Sequence, residues 1–337
     1  MIYPNFLRQN SCIGVPAPSD GARDDRRVNR LSHSKQFFES EGFRLKLSEN
    51  LYKSTLGRSG SAEYRGKEVT QMFADKDIDF IICAGGGEFL LESLPYTDFE
   101  VVRTNPKFIC GFSDPTGLLF PITTKLDIAT IYGQNFGAFG SEKFDKSQYD
   151  FLNIAQGKLI TEESYPLYEN ERTESVTGLE PSNLTEKTEW KTLDGKGVKL
   201  SGRIVGGCFD IITELAGTKY DGTADFNERY KDDGIVWYFD NCEKSLEDTI
   251  RILWKMNELD YFKYAKGVIF GRFGNDFSCC GYTVGECLKD SALSRLDIPI
   301  IYDADISHKA PSLSIINGSI ATVECEAGKG KMSFELK

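Results

Sequence analysis

Short apolar runs near residues 11–16, 43–47, 79–83, 107–111 and 127–132 alternate with stretches of helical periodicity near 24–41, 62–76, 88–94 and 114–125. Parallel strands need a crossover long enough to hold a helix, so this rhythm predicts a parallel sheet covered by helices. Phe80-Ile81-Ile82-Cys83 is apolar at every position, the pattern of a short strand buried on both faces. Ligands of such sheets gather at the carboxyl ends of the strands. Two turns fall at such ends: the Gly85-Gly86-Gly87 loop and the turn containing Ser113.

The 337 residues exceed the usual size of one core, and 40% hydrophobic content is ample for two. The expected class is α/β: an N-terminal doubly wound parallel-sheet domain over 1–155 and a smaller C-terminal α/β domain over 198–337, with the active site at their interface. Residues 156–197 read as a linker and excursion, because Glu162-Glu163-Ser164, Glu169-Asn170-Glu171-Arg172 and Lys187-Thr188-Glu189 leave few apolar positions.

In Phe108-Ile109-Cys110-Gly111-Phe112-Ser113-Asp114-Pro115-Thr116, a strand gives way abruptly to a helix. A serine at that turn is held out of the sheet, beside helix N–H groups that can receive a developing oxyanion. Ser113 is therefore a candidate nucleophile, although Ser113-Asp114 taken alone could simply cap the helix. Pro115 stands where the hydrolase elbow G-x-S-x-G has its second glycine, so that motif is half matched.

A serine nucleophile needs a base, and the chain has two histidines, His33 and His308. His33 sits within an amphipathic helical pattern and reads as structural or solvated. His308 lies in a loop just past the strand-like Ile298-Pro299-Ile300-Ile301-Tyr302, where catalytic groups concentrate. A carboxylate at another strand end would orient it. Asp240, ending Ile235-Val236-Trp237-Tyr238-Phe239 before a helical pattern at 245–259, is the candidate, with Glu243 its rival.

Six blocks in order carry a resemblance that spans nearly the whole chain: Ala84-Gly85-Gly86-Gly87, Gly111-Phe112-Ser113-Asp114-Pro115-Thr116, Ser201-Gly202-Arg203-Ile204-Val205-Gly206-Gly207-Cys208, Val236-Trp237-Tyr238-Phe239-Asp240, Gly267-Val268-Ile269-Phe270-Gly271-Arg272 and Asp305-Ile306-Ser307-His308-Lys309. The chain resembles the LD-carboxypeptidase family of serine peptidases, which includes murein tetrapeptide carboxypeptidases and microcin C immunity hydrolases. The resemblance implies Ser113 as nucleophile and His308 as general base, with the family's glutamate position falling on Asp240, one methylene shorter. It also implies an oxyanion hole from the N–H groups of Gly86 and Asp114, a triad completed across the domain interface, and a homodimer. The implied substrate is a small peptide, most simply a muropeptide losing terminal D-alanine. The alternatives are a peptidyl or aminoacyl adenylate of the microcin type, and a binding homologue impaired by Asp240.

The remaining signals exclude other classes. The glycine loop lacks both the full dinucleotide fingerprint and a P-loop lysine. A net charge of −11 without a basic stripe argues against nucleic acid. The opening residues have no basic-then-apolar leader and no stretch is long enough to span a bilayer, so a cytoplasmic location is expected. The nine cysteines read as reduced thiols, and Cys110, inside the strand before the turn, is poorly placed for attack. Cys279-Cys280 with Cys287 and His308 match no common zinc spacing; no metal or cofactor is expected.

Overall fold

The apolar run at residue 12 forms β1 (Cys12–Val15), and the helix signal after it forms α1 (Asp25–Ser40), whose N-cap Asp24 accepts from the Arg27 N–H. The computed structural model describes residues 1–172 and 174–337, which divide into two units. The first comprises Met1–Lys158, Glu171–Ser182 and Ser314–Ile316; the second comprises Leu159–Asn170, Asn183–Leu313 and Asn317–Lys337.

In the first unit, β1 and α1 are followed by β2 (Arg44–Leu47), α2 (Ala62–Ala74), β3 (Phe80–Ile82), α3 (Phe99–Thr104), β4 (Ile109–Gly111), α4 (Thr116–Leu126), β5 (Thr130–Tyr132) and α5 (Lys146–Ala155). The strands run in parallel pairs in the order β2-β1-β3-β4-β5. The winding reverses between β1 and β3, the kind of switch point at which doubly wound sheets bind ligands. The helical pattern near 88–94 closes instead as a 3₁₀ helix, Leu90–Tyr96, containing Pro95, which has no N–H to donate.

The second unit contains the short strands β6 (Glu162–Glu163), β7 (Leu167–Tyr168), β8 (Glu186–Lys187) and β9 (Lys191–Thr192) within the excursion. Then come β10 (Val198–Cys208), α6 (Phe209–Leu215), α7 (Thr223–Arg229), β11 (Ile235–Asp240), α8 (Leu246–Glu258), β12 (Ala265–Gly271), α9 (Val284–Asp290) and β13 (Ile300–Ala304). The chain finishes with β14 (Ile315–Asn317), which joins the first unit's sheet beside β5, then β15 (Ile320–Glu326) and β16 (Lys329–Glu335). The second sheet has the order β6-β16-β15-β10-β11-β12-β13-β9. Its centre, β10 to β13, is parallel and its flanks are antiparallel.

All six residues of β11 are buried, as expected for a central parallel strand covered on both faces. Trp237 stacks on Phe239 with ring centroids 5.7 Å apart, and each such fully buried side chain contributes about 2 kcal/mol of transfer free energy. This packing fixes where the strand ends, and hence where Asp240 stands. All nine cysteines are free. Among the described residues, no helix is long and apolar enough to cross a membrane.

Candidate active site

The first unit carries Ser113, Asp114 and Gly86. After β4, Ser113 takes φ 71°, the left-handed region, and Pro115 caps α4 at φ −49°. A residue with a Cβ pays about 1 kcal/mol or more for that backbone, so the turn must be held by its surroundings. Asn135 holds it, accepting from the Phe112 N–H and donating to the Phe112 carbonyl, both at 3.0 Å. Asp114 holds it from the other side. Its buried carboxylate accepts from Ser19 Oγ, in the loop after β1, and from the Leu90 N–H at 2.9 Å, just past the glycine loop after β3. Burial pushes the Asp114 carboxyl up, against the lowering effect of those two hydrogen bonds.

The first turn of α4 uses the N–H groups of Thr116 and Gly117, which donate to the carbonyls of Ser113 and Asp114 at 2.9 Å. Among the described residues, no acceptor takes the N–H of Asp114 or of Gly86. Gly86 lies directly against the serine: a Cβ there would sit 3.1 Å from Ser113 Cβ and 3.3 Å from its Oγ. Glycine is thus what lets the loop backbone approach this hydroxyl. Cys110, by contrast, is fully buried and donates through Sγ to the Ile81 carbonyl at 3.3 Å. Burial raises its pKa well above the usual thiol value, which removes it as a nucleophile.

The second unit carries Asp240 and His308. Asp240 ends β11 without solvent exposure, and its Oδ2 lies 2.9 Å from Nδ1 of His308, whose side chain is 13% exposed. Burial alone would lower the imidazole pKa, but the charge and hydrogen bond of Asp240, aided by Cys242, outweigh it and push His308 up to about 10. Glu243 is exposed, its backbone N–H bonded to Asp210 at 3.0 Å. His33 is exposed on α1, in the other unit.

A residue that sequence reasoning quoted without giving it a role sets the His308 loop. Arg272, directly after β12, is buried and pairs with buried Asp305. Its Nη2 donates to the carbonyls of Lys309 and Pro311, each at 2.8 Å, just past His308. Ser307 Oγ donates to the Arg272 carbonyl at 2.6 Å, and Trp190 Nε1 donates to Asp305 at 2.8 Å. Gly271 makes room for the loop, since a Cβ there would lie 1.5 Å from the Ile306 carbonyl oxygen. The signal available in the sequence was a charged residue abutting an apolar strand at Gly271-Arg272 and again at Ala304-Asp305. Asp210 does a similar task for the turn after Asp240, accepting from the N–H groups of Cys242 at 2.9 Å and Glu243. A cavity of about 550 Å³ adjoins the loop, lined by Arg272, Lys309, Lys187, Lys191, Tyr168 and Tyr302 among others.

Two family models match this chain: the LD-carboxypeptidase N-terminal domain over residues 13–133 and the LD-carboxypeptidase C-terminal domain over residues 201–323. The microcin C7 self-immunity protein MccF of Escherichia coli is 28% identical over 85% of this chain and 83% of its own length. A solved structure of MccF in complex with aspartyl sulfamoyl adenosine superposes with TM-score 0.82 at 23% identity, covering all of both chains. The muramoyltetrapeptide carboxypeptidase of Oxalobacter formigenes superposes with TM-score 0.74 at 16% identity, over 96% of this chain and 98% of that one. At those identities the two superpositions establish a shared fold.

Proposed function

We propose that this chain, which belongs to the LD-carboxypeptidase family, is a serine hydrolase that cleaves an amide bond, most simply releasing terminal D-alanine from a muropeptide. The observation that carries this reading is Ser113 at φ 71° with Gly86 packed against its hydroxyl. A strained non-glycine residue at a strand-to-helix turn, beside unused N–H groups, is the arrangement that acyl transfer needs.

In the proposed reaction His308 takes the Ser113 proton as Oγ attacks the amide carbonyl. Asp240 holds the imidazole in one tautomer and stabilises its cationic form. The N–H groups of Gly86 and Asp114 receive the oxyanion, His308 returns the proton to the leaving amine, and water then resolves the acyl-enzyme. The cavity beside the His308 loop sets Arg272, Lys187, Lys191 and Lys309 among Glu189, Asp276 and Asp303, a lining of both signs that suits a peptide carrying both amine and carboxylate groups. A homodimer and a cytoplasmic location go with this reading.

A second reading is hydrolysis of a peptidyl or aminoacyl adenylate of the microcin type, favoured by the similarity to MccF over 85% of the chain. Purified protein incubated separately with a murein tetrapeptide and with a microcin-type peptidyl adenylate distinguishes the two. Release of D-alanine is the expected result. Cleavage of the adenylate alone would favour the second reading, and cleavage of neither would overturn the hydrolase assignment.

A further inference from the structure

The loop from β12 to α9 carries two adjacent cysteines, Cys279 and Cys280, both exposed. In a strand, neighbouring side chains point to opposite faces. Here the chain bends at both residues, and their Sγ atoms come within 3.8 Å of each other. Two zinc–sulfur bonds of about 2.3 Å at a tetrahedral angle span about the same distance between sulfurs.

A third donor comes from a different element. Glu247, in the first turn of α8, brings a carboxylate oxygen to the pair so that all three ligand atoms lie within 4.8 Å of one another. The carboxylate is already oriented: its Oε1 accepts from Ser278 Oγ at 2.5 Å and from the Cys280 N–H at 2.9 Å. Hydrogen bonds of this kind aim a ligating carboxylate and raise its affinity. Cys287 and His308, whose spacing to the pair matches no common zinc pattern, do not join this group. Cys287 is buried, its Sγ donating to the Leu246 carbonyl at 3.3 Å, and His308 faces Asp240.

The geometry points to a surface site for a thiophilic divalent cation such as Zn²⁺, held by Cys279, Cys280 and Glu247, with water in the fourth tetrahedral position. Two thiolates and one carboxylate favour such an ion over Mg²⁺ or Ca²⁺, which prefer oxygen alone. Each thiol gives up its proton to the solvent as its sulfur bonds the metal. The bound ion ties the 272–283 loop to the start of α8, the helix that follows Asp240.

The test titrates the reduced whole chain with Zn²⁺ by calorimetry in two buffers of different ionisation enthalpy, and with Co²⁺ by absorption spectroscopy. One Zn²⁺ per chain, proton release on binding and a thiolate-to-cobalt charge-transfer band are expected. The exposed pair tolerates a combined Cys279→Ser, Cys280→Ser change, which removes all three signals. Glu247→Gln weakens binding by about tenfold or more, and His308→Gln leaves it unchanged. Absence of Zn²⁺ binding by the native chain, equal binding by the double-serine variant, or loss of binding in His308→Gln would overturn the site.

Discussion

Asp240 Oδ2 stands 2.9 Å from His308 Nδ1, although aspartate is one methylene shorter than the glutamate that family resemblance places at this point. Packing of β11 fixes the carboxylate, and Arg272 fixes the loop that carries the imidazole. Asp240→Asn is therefore expected to lower kcat by about 10⁴-fold with the fold intact. Asp240→Glu overfills a site with no exposure and lowers the rate as well. A rise in activity on Asp240→Glu, measured by initial rates, would support the impaired binding homologue instead.

The same pair dictates pH dependence. A general base must be neutral, and His308 is held up to about 10 from 6.5 by Asp240 and Cys242 against the effect of burial. The kcat/KM of the native chain should climb as pH rises from 6.5 toward 10, and in Asp240→Asn the rising limb should move to lower pH. Stability follows the linked sign. A raised histidine pKa stabilises the fold fully below pH 6.5, and that contribution is lost as pH rises through about 10. The Tm difference between native chain and His308→Gln should accordingly narrow across this window.

The left-handed backbone of Ser113 is a cost carried at the candidate nucleophile. Ser113→Ala keeps the strain because alanine retains a Cβ, whereas Ser113→Gly relieves it. The glycine variant should be the more stable of the two by about 1 kcal/mol in urea unfolding, with both inactive. Equal stability of the two variants would mean that the turn is unstrained.

Gly86→Ala places a methyl group 3.1 Å from Ser113 Cβ and 3.3 Å from its Oγ. The N–H stays in place, so the expected effect is displacement of the serine: a fall in kcat of about 10²-fold with thermal stability close to native. An unchanged kcat would show that the loop does not position the hydroxyl.

Arg272→Lys keeps the charge but loses the planar fork that reaches Asp305 and two carbonyls together. Leaving Asp305 buried with a weakened partner should cost about 3 kcal/mol in denaturant unfolding. A variant with native stability would remove Arg272 as the support of the His308 loop.

Much of this was legible in the chain because local signals and the fold agree. The apolar runs 79–83, 107–111 and 127–132 contain β3, β4 and β5, and Asp24, Ser61 and Ser245 cap α1, α2 and α8. The two-residue strands of the excursion were not, because β6 and β9 are defined by partners far along the chain, β16 and β13, and not by a pattern of their own. Glu247 escaped notice for a similar reason: its approach to Cys279 and Cys280 depends on how α8 packs against a distant loop. The contacts of Arg272 with Asp305 and of Asp114 with Ser19 are likewise tertiary, and a sequence pattern marks such residues only as charges at strand ends.

The most direct test of the account follows D-alanine release from a murein tetrapeptide by the native chain and by Ser113→Ala under identical conditions. Release by the native chain and a loss of at least about 10³-fold in the variant are expected; release by Ser113→Ala at the native rate would rule out Ser113 as the nucleophile.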